Sequence, residues 1–128
     1  MSLVFHHNPQ SRGRIVRWML EETGAPYAVR LVDFKTNAHK APNYLAINPM
    51  GKIPAIEHNG SVVTECAAIC AYLADAFPEA GLAPPLAERA GYYRWLIFGA
   101  GSLEYALIDR LFDRPAPSRP QALGYGSF

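Results

Sequence analysis

The first eighty residues alternate between short apolar runs and amphipathic stretches, the pattern of strands and helices that follow one another along a chain. Leu3–His7 is a short apolar run ending at Asn8-Pro9, and it predicts a first strand. From Ser11 the apolar positions recur at helical spacing until Gly24, which predicts a first helix. Residues 27–34 are rich in β-forming types and follow at crossover distance, so a second strand parallel to the first is expected.

A helix and a hairpin are predicted next. A weak helical pattern covers residues 39–47 and stops at Asn48-Pro49-Met50-Gly51. Residues 52–56 and 61–64 predict two antiparallel strands, because Asn59-Gly60 between them favours a type I′ turn. Pro54 has no amide hydrogen, so it belongs at the start of a strand or at a sheet edge.

A third helix follows the hairpin, with Thr64 as a suitable N-cap and Pro78 as its end. The order through this helix is β-α-β-α-β-β-α. Residues 78–85 (P-E-A-G-L-A-P-P) form a turn-rich linker and the best domain boundary. We therefore expect a first domain over residues 1–80.

The composition changes beyond the linker. Residues 86–112 carry a long amphipathic helical pattern, interrupted at Gly99 and Gly101 and broken by the prolines from Pro115 onward. A single helix cannot bury its apolar stripe alone. The expectation is that residues 86–128 begin an all-helical domain whose longer remainder exists in the natural protein.

Composition and charge narrow the classes of partner. The 128 residues are 50% hydrophobic and 18% charged, which is typical of a globular protein. Twelve Lys and Arg residues against eleven Asp and Glu give a net charge of +1, which offers no field for nucleic acid or an anionic membrane. No apolar run is long enough to span a bilayer and no secretory signal is recognisable, so a cytoplasmic protein is predicted.

The cysteines and histidines do not predict a metal site or a disulfide framework. Cys66 and Cys70 stand alone, and the four histidines are not arranged around them at zinc-ligand spacing. A Cys-x-x-Cys motif is missing, which disfavours a disulfide reductase.

Three local motifs, taken with the element order, resemble the glutathione transferase family. They are Asn8-Pro9-Gln10-Ser11-Arg12 with Arg17, Asn48-Pro49-Met50-Gly51-Lys52-Ile53-Pro54, and Thr64-Glu65-Cys66 with Ala71-Tyr72-Leu73. The resemblance implies an α/β, thioredoxin-like glutathione-binding domain followed by an incomplete all-α domain. It also implies glutathione as co-substrate, a small apolar electrophile as second substrate, no metal, and a homodimer.

The resemblance implies that Pro54 is cis and that the segment Lys52, Ile53, Pro54 binds glutathione. A cis proline before a strand turns the preceding backbone outward, so Ile53 can pair with an extended ligand as an added strand. At the start of the third helix, Glu65 and Cys66 match the pocket for the γ-glutamyl end. Cys66 departs from the serine usual in the family and keeps only its backbone contact at full strength.

Ser11 is the catalytic candidate, since a hydroxyl near a helix N-terminus can stabilise a thiolate. The register leaves Gln10, Ser11 and Arg12 all near the catalytic position, and Ser11 is also a plausible N-cap. Tyrosine and cysteine types of enzyme are excluded, because no Tyr precedes Tyr27 and no Cys precedes Cys66.

The predicted activity is glutathione transfer to a small electrophile or reduction of a peroxide, as in detoxification. The alternative is a non-catalytic module of the same fold that binds glutathione or a protein. Aromatic residues at helical spacing are more often core or dimer interface, but the candidates for an apolar second-substrate pocket are Met50, Tyr92, Tyr93, Trp95, Phe98 and Tyr105.

Overall fold

The chain, seen in a computed structural model that describes residues 2–119 and 123–125, divides into two units, residues 1–83 and 84–128. The elements of the first unit are, in chain order, β1 (Leu3–His7), α1 (Gly13–Thr23), β2 (Ala28–Leu31), a 3-10 turn (Ala38–Lys40), α2 (Pro42–Leu45), β3 (Ala55–His58), β4 (Ser61–Thr64), α3 (Cys66–Ala76) and a 3-10 turn (Pro78–Ala80). This order confirms the predicted thioredoxin-like α/β fold.

The four strands form one mixed sheet in the order β2-β1-β3-β4. β1 pairs with β2 in parallel, as the crossover through α1 predicts, and with β3 antiparallel. The hairpin of β3 and β4 turns at Asn59 and Gly60, both with positive φ, which is what a type I′ turn requires.

The core of the first unit lies between the sheet and the helices α1 and α3. Its fully enclosed side chains come from β1, α1, β3 and α3: Phe5, Val16, Leu20, Ile56, Ile69 and Leu73. Full burial of each such side chain contributes about 1.5–3 kcal/mol to folding. The packing fixes the ends of both helices relative to the strands.

Several predicted elements differ in extent from the observed ones. β3 covers Ala55–His58 rather than residues 52–56, so Lys52, Ile53 and Pro54 precede the strand. β2 is half as long as the predicted strand, and the helix predicted over 39–47 is a 3-10 turn followed by the short α2, which starts at Pro42. Proline is tolerated in the first turn of a helix and ends the segment before it. The N-cap of α3 is Glu65 rather than Thr64, because Thr64 is the last residue of β4.

The second unit is helical. A 3-10 turn (Leu86–Glu88) leads into α4 (Arg89–Phe98), a π-helical segment (Gly99–Leu103) and α5 (Glu104–Leu111). The two glycines predicted to interrupt this stretch lie within the π-helical segment. Among the residues described in this unit, none has a buried side chain.

Within the described part of the chain, no helix combines the length and the apolar character that a membrane span requires.

Candidate functional site

Three segments meet at one end of the sheet because of its strand pairing. His6 of β1 pairs with Ala55 of β3, and Ala55 pairs with Thr64 of β4. The residues that follow β1, precede β3 and follow β4 therefore leave the sheet at the same end. These segments contain the predicted site residues Ser11, Lys52, Ile53, Pro54, Glu65 and Cys66.

One contact joins the first and third of these segments directly. The Cys66 thiol donates to the Arg12 carbonyl oxygen, with the two atoms 3.5 Å apart. Cys66 is half-buried as the first residue of α3. The loop before α1 and the N-terminus of α3 are thus neighbours, as a shared binding site requires.

Asn8 organises the loop between β1 and α1. Its side chain is buried, donates to the Val32 carbonyl (2.9 Å) and accepts from the Gln10 amide (2.8 Å). Its own carbonyl accepts both the amide (3.1 Å) and the hydroxyl (2.7 Å) of Ser11. Asn8 therefore holds the loop through both its side chain and its main-chain carbonyl.

The Ser11 hydroxyl has two local partners. It donates to the Asn8 carbonyl and accepts from the Gly13 amide at 3.0 Å. The N-cap of α1 is Arg12 rather than Ser11, and the Ser11 hydroxyl one residue earlier accepts from the first amide of the helix. The catalytic role of Ser11 stays a prediction.

His7 lies beneath the same loop. Its ring stacks on Phe5 with centroids 4.8 Å apart, and only 8% of the residue is exposed. Burial, with the positive charges of Arg17 and Arg14, lowers the pKa of His7 below its usual value. The imidazole is consequently neutral at physiological pH.

The turn before the cis peptide is built around Asn48. The Asn48 carbonyl accepts from the Gly51 amide at 2.8 Å, and its side chain accepts from the Met50 amide at 3.1 Å. Gly51 has φ near +60°, and a Cβ there would come within 2.7 Å of the His39 carbonyl oxygen. Only glycine fits this position.

The Lys52 carbonyl is fixed by two side chains of the preceding helix and turn. The Tyr44 hydroxyl donates to it at 2.5 Å and the Asn48 amide at 2.8 Å. Burial raises the pKa of Tyr44 to about 12, so this phenol remains a donor. The Lys52 side chain itself is exposed.

The Ile53-Pro54 peptide bond is cis, as predicted. Ile53 is half-buried and precedes β3, while Pro54 is buried. The backbone hydrogen bonds found over residues 2–119 and 123–125 include none donated by the Ile53 amide. The part that these residues play in binding glutathione stays a prediction.

Glu65 has the least usual backbone in the site. Its φ of 69° and ψ of 124° are rare for a residue with a side chain, and its carboxylate caps no amide of α3. The first helical hydrogen bond runs from the Ile69 amide to the Glu65 carbonyl, so the preceding amides point out of the helix N-terminus. An anion is favoured at that end.

Sequence reasoning assigned no role to three residues that support the site. Tyr44 and Asn48, the latter known only as part of a motif, donate to the Lys52 carbonyl. His7 lies next to the Ser11 loop. For His7 a signal existed: Leu3, Phe5 and His7 alternate along a strand, which puts all three side chains on one face. For Tyr44 the sequence offers no comparable signal.

Comparison with known proteins gives the family. A family described as "Glutathione S-transferase, N-terminal domain" matches residues 2–75. Glutathione S-transferase 3 of Zea mays is 39% identical over 83 residues, which cover 63% of this chain and 37% of the maize protein. Glutathione S-transferase 3 of Schizosaccharomyces pombe is 31% identical over 103 residues, covering 79% of this chain and 42% of that protein.

A solved structure agrees. A glutathione transferase homologue from Sulfitobacter, determined with bound glutathione, is 30% identical with a TM-score of 0.74, and covers 91% of this chain and 58% of the other. The chain belongs to the glutathione S-transferase family. The matched segments span less than half the length of the two curated relatives.

Proposed function

We propose that this chain binds glutathione and activates its thiol for attack on a small apolar electrophile or a peroxide. The observation that carries the proposal is the convergence of three segments at one end of the sheet, each suited to a different part of the tripeptide. Glutathione is a charged, mostly extended peptide, so it needs backbone pairing, a site for its γ-glutamyl end and a donor near its sulfur.

Ile53 is proposed to pair with the ligand backbone. The two hydrogen bonds to the Lys52 carbonyl hold the chain just before Ile53 in one orientation, so the edge is preorganised. An extended peptide can add to such an edge as a short strand. The exposed Lys52 ammonium beside it is suited to a ligand carboxylate.

The γ-glutamyl end is proposed to bind at the N-terminus of α3. Its carboxylate would meet the outward amides at Cys66, and its ammonium would meet the Glu65 carboxylate. Support comes from the strained backbone of Glu65, whose side chain is directed to no local helix cap. Strain of this kind tends to occur at ligand sites.

Ser11 is proposed to stabilise the thiolate. A free thiol has a pKa of about 8.5, so lowering it by about two units takes roughly 2.7 kcal/mol of preferential stabilisation. The hydroxyl and the N-terminus of α1 can each supply part of this. The neighbouring Gln10 and Arg12 remain the alternative residues at this position.

A non-catalytic binding module is the second candidate. One observation favours it: the Ser11 hydroxyl already donates to the Asn8 carbonyl, so its proton is engaged within the loop. Such a module would retain glutathione affinity and leave the thiol pKa of the ligand unchanged.

We further propose a cytoplasmic homodimer acting in detoxification, without a metal and without nucleic acid as partner. Support for a second copy comes from the exposed large apolar side chains of α4 and α5: Tyr93, Trp95, Ile97, Phe98, Tyr105, Leu107 and Leu111. Aromatic and aliphatic groups of this kind are enriched at protein interfaces.

Calorimetric titration with glutathione, followed by a rate assay with a chromogenic electrophile, tests the proposal. Binding together with turnover supports the transferase. Binding without turnover and with an unchanged thiol pKa supports the binding module. A chain that is folded by circular dichroism and shows no heat of binding contradicts both.

A further inference from the structure

His7 carries a buried polar atom that the fold leaves without a partner. The Nδ1 atom of its imidazole makes no hydrogen bond, although the residue is only 8% exposed. Buried polar groups are nearly always paired, because an unpaired one costs about 1–3 kcal/mol. An exception beside a functional loop calls for an explanation.

The orphaned atom faces the Ser11 loop. A Cβ built on Gly13 would lie 2.6 Å from His7 Nδ1 and 2.9 Å from Ser11 Oγ. Both atoms therefore border the position that a side chain on Gly13 would occupy, and the lack of that side chain keeps the position open. They are not hydrogen-bonded to each other in this state.

The Ser11 hydroxyl can turn without leaving a carbonyl unpaired. It donates to the Asn8 carbonyl, but that carbonyl also accepts the Ser11 amide at 3.1 Å. Ser11 Oγ meanwhile accepts from the Gly13 amide at 3.0 Å and has a second lone pair. One further donor can therefore reach the oxygen.

We propose that His7 is a positioning residue for Ser11: when glutathione binds, the His7 ring moves within hydrogen-bond distance and donates from Nδ1–H to Ser11 Oγ, while the hydroxyl turns to the sulfur of the ligand. The inference rests on the proposed function, because it needs a thiol at Ser11. With two N–H donors on its oxygen, the hydroxyl becomes a stronger donor to a thiolate, since hydrogen bonds in a chain polarise one another.

The role is hydrogen bonding rather than proton transfer. Burial, Arg17 and Arg14 together lower the pKa of His7, so the ring stays neutral and carries one N–H. No covalent bond changes in the step: the Ser11 O–H rotates, so its hydrogen bond passes from the Asn8 carbonyl to the sulfur while the proton stays on Oγ.

Two substitutions at His7 separate this role from simple packing. In His7→Asn the side-chain amide reaches the position of Nδ1, whereas in His7→Gln it reaches that of Nε2. The readout is the pKa of glutathione bound to the 128-residue chain, followed by the ultraviolet absorbance of the thiolate. We expect His7→Gln to raise this pKa so that thiolate at neutral pH falls about tenfold, and His7→Asn to keep most of it.

A double-mutant cycle with Ser11→Ala gives a second measurement. If His7 acts through the hydroxyl, His7→Gln has no further effect on the thiol pKa once Ser11 is alanine. His58→Gln is the matched control, because His58 is also buried with an unpartnered ring nitrogen, yet lies opposite Leu3 at the other end of the sheet. It should lower thermal stability and leave the thiol pKa unchanged.

The outcomes distinguish the role of His7 from the proposed function on which it rests. Equal thiol pKa values in wild type and His7→Gln, or additive effects in the cycle, overturn the role of His7 alone. Asparagine and glutamine variants with the same raised pKa also overturn it. A wild-type chain that does not bind glutathione, or leaves its thiol pKa at the free value, refutes the proposed function and the inference with it.

Discussion

Glu65 adopts a backbone conformation that costs free energy, and no hydrogen bond from its side chain to the helix offsets that cost. A non-glycine residue with φ near 69° carries about 1–3 kcal/mol of strain, and here the side chain caps no amide of α3. A carboxylate held at a helix N-terminus in this way is available to a ligand ammonium. The strain and the proposed binding role can be measured separately.

Glu65→Ala and Glu65→Gly should both weaken glutathione binding by about 1–3 kcal/mol, because each removes the charged acceptor. Their folding stabilities should differ, since glycine adopts positive φ at lower cost: the glycine variant is expected to be about 1 kcal/mol more stable than the alanine variant. Calorimetric titration and urea unfolding measure the two quantities. Glu79→Ala, at an exposed acid of the first unit, is the control for loss of charge alone. Unaltered affinity in both variants would exclude Glu65 from the site.

Ser11→Ala should lower turnover while changing glutathione affinity little, because the hydroxyl contributes chiefly when the sulfur is charged. Unfolding should show a loss of about 1 kcal/mol, because the Ser11 hydroxyl also bonds to the Gly13 amide at the start of α1. Rates measured at saturating and limiting glutathione separate the two effects. Gln10→Ala serves as the neighbouring comparison, and a larger loss of turnover there than in Ser11→Ala would move the catalytic position to Gln10.

At the scale of elements, the segment from α2 to β3 depends on hydrogen bonds that end on one carbonyl. Tyr44 and Asn48 both donate to Lys52, and the turn from Asn48 to Gly51 brings their side chains to it. A tyrosine that must stay protonated to donate makes this segment sensitive to alkaline pH.

Stability should fall as the pH rises from about 10 toward 12. The pKa of Tyr44 is about 12 in the folded chain against 10 for an ordinary tyrosine. Between these pH values the unfolded chain loses the phenol proton while the folded chain keeps it, so the free energy of unfolding falls. The contribution of Tyr44 to folding stability is fully present below pH 10. Tyr44→Phe should be less stable at pH 8 and show a shallower alkaline decline in urea unfolding. Parallel declines for the two proteins would contradict the role given to Tyr44, and Tyr105→Phe, at an exposed phenol, provides the control.

Sequence patterns predicted element types better than element ends. β1 and β4 match their predicted bounds, because apolar runs and an Asn-Gly turn delimit them. The helix predicted over 39–47 fails because Pro42 divides it. Thr64 was predicted as a cap by residue type alone, but pairing with Ala55 keeps it in the strand and transfers the N-cap to Glu65.

Candidate site residues were predictable where a motif marks them and not where packing supplies the contact. Strand order brings the three motif segments to one end of the sheet, and that order follows from a right-handed crossover plus a hairpin. The burial of His7 follows from its alternation with Leu3 and Phe5 along β1. The Tyr44 hydroxyl instead acts through a contact with the Lys52 carbonyl, and such a contact leaves no spacing in the sequence to detect.

For the whole molecule, the exposed apolar surface of the second unit predicts self-association. Trp95, Ile97 and Leu107 are each about 60% exposed, which exceeds what scattered surface residues explain. We expect the 128-residue chain to associate with rising concentration in sedimentation velocity, and Ile97→Lys with Leu107→Lys to suppress this. Val29→Lys with Leu31→Lys, at two exposed positions of β2 in the first unit, is the charge-matched control. A monomer across the concentration series would remove the support for a homodimer.

The π-helical segment at Gly99–Leu103 changes the angular positions, around the helix axis, of the side chains that follow it. A π-helix takes more residues per turn than an α-helix, so side chains beyond it are rotated back from the positions that a 3.6-residue period predicts. The apolar residues of α4 and α5, read in the sequence as one stripe, consequently follow two separate lines around the helix axis. A partner shaped to the stripe drawn on a helical wheel would match only one of these lines.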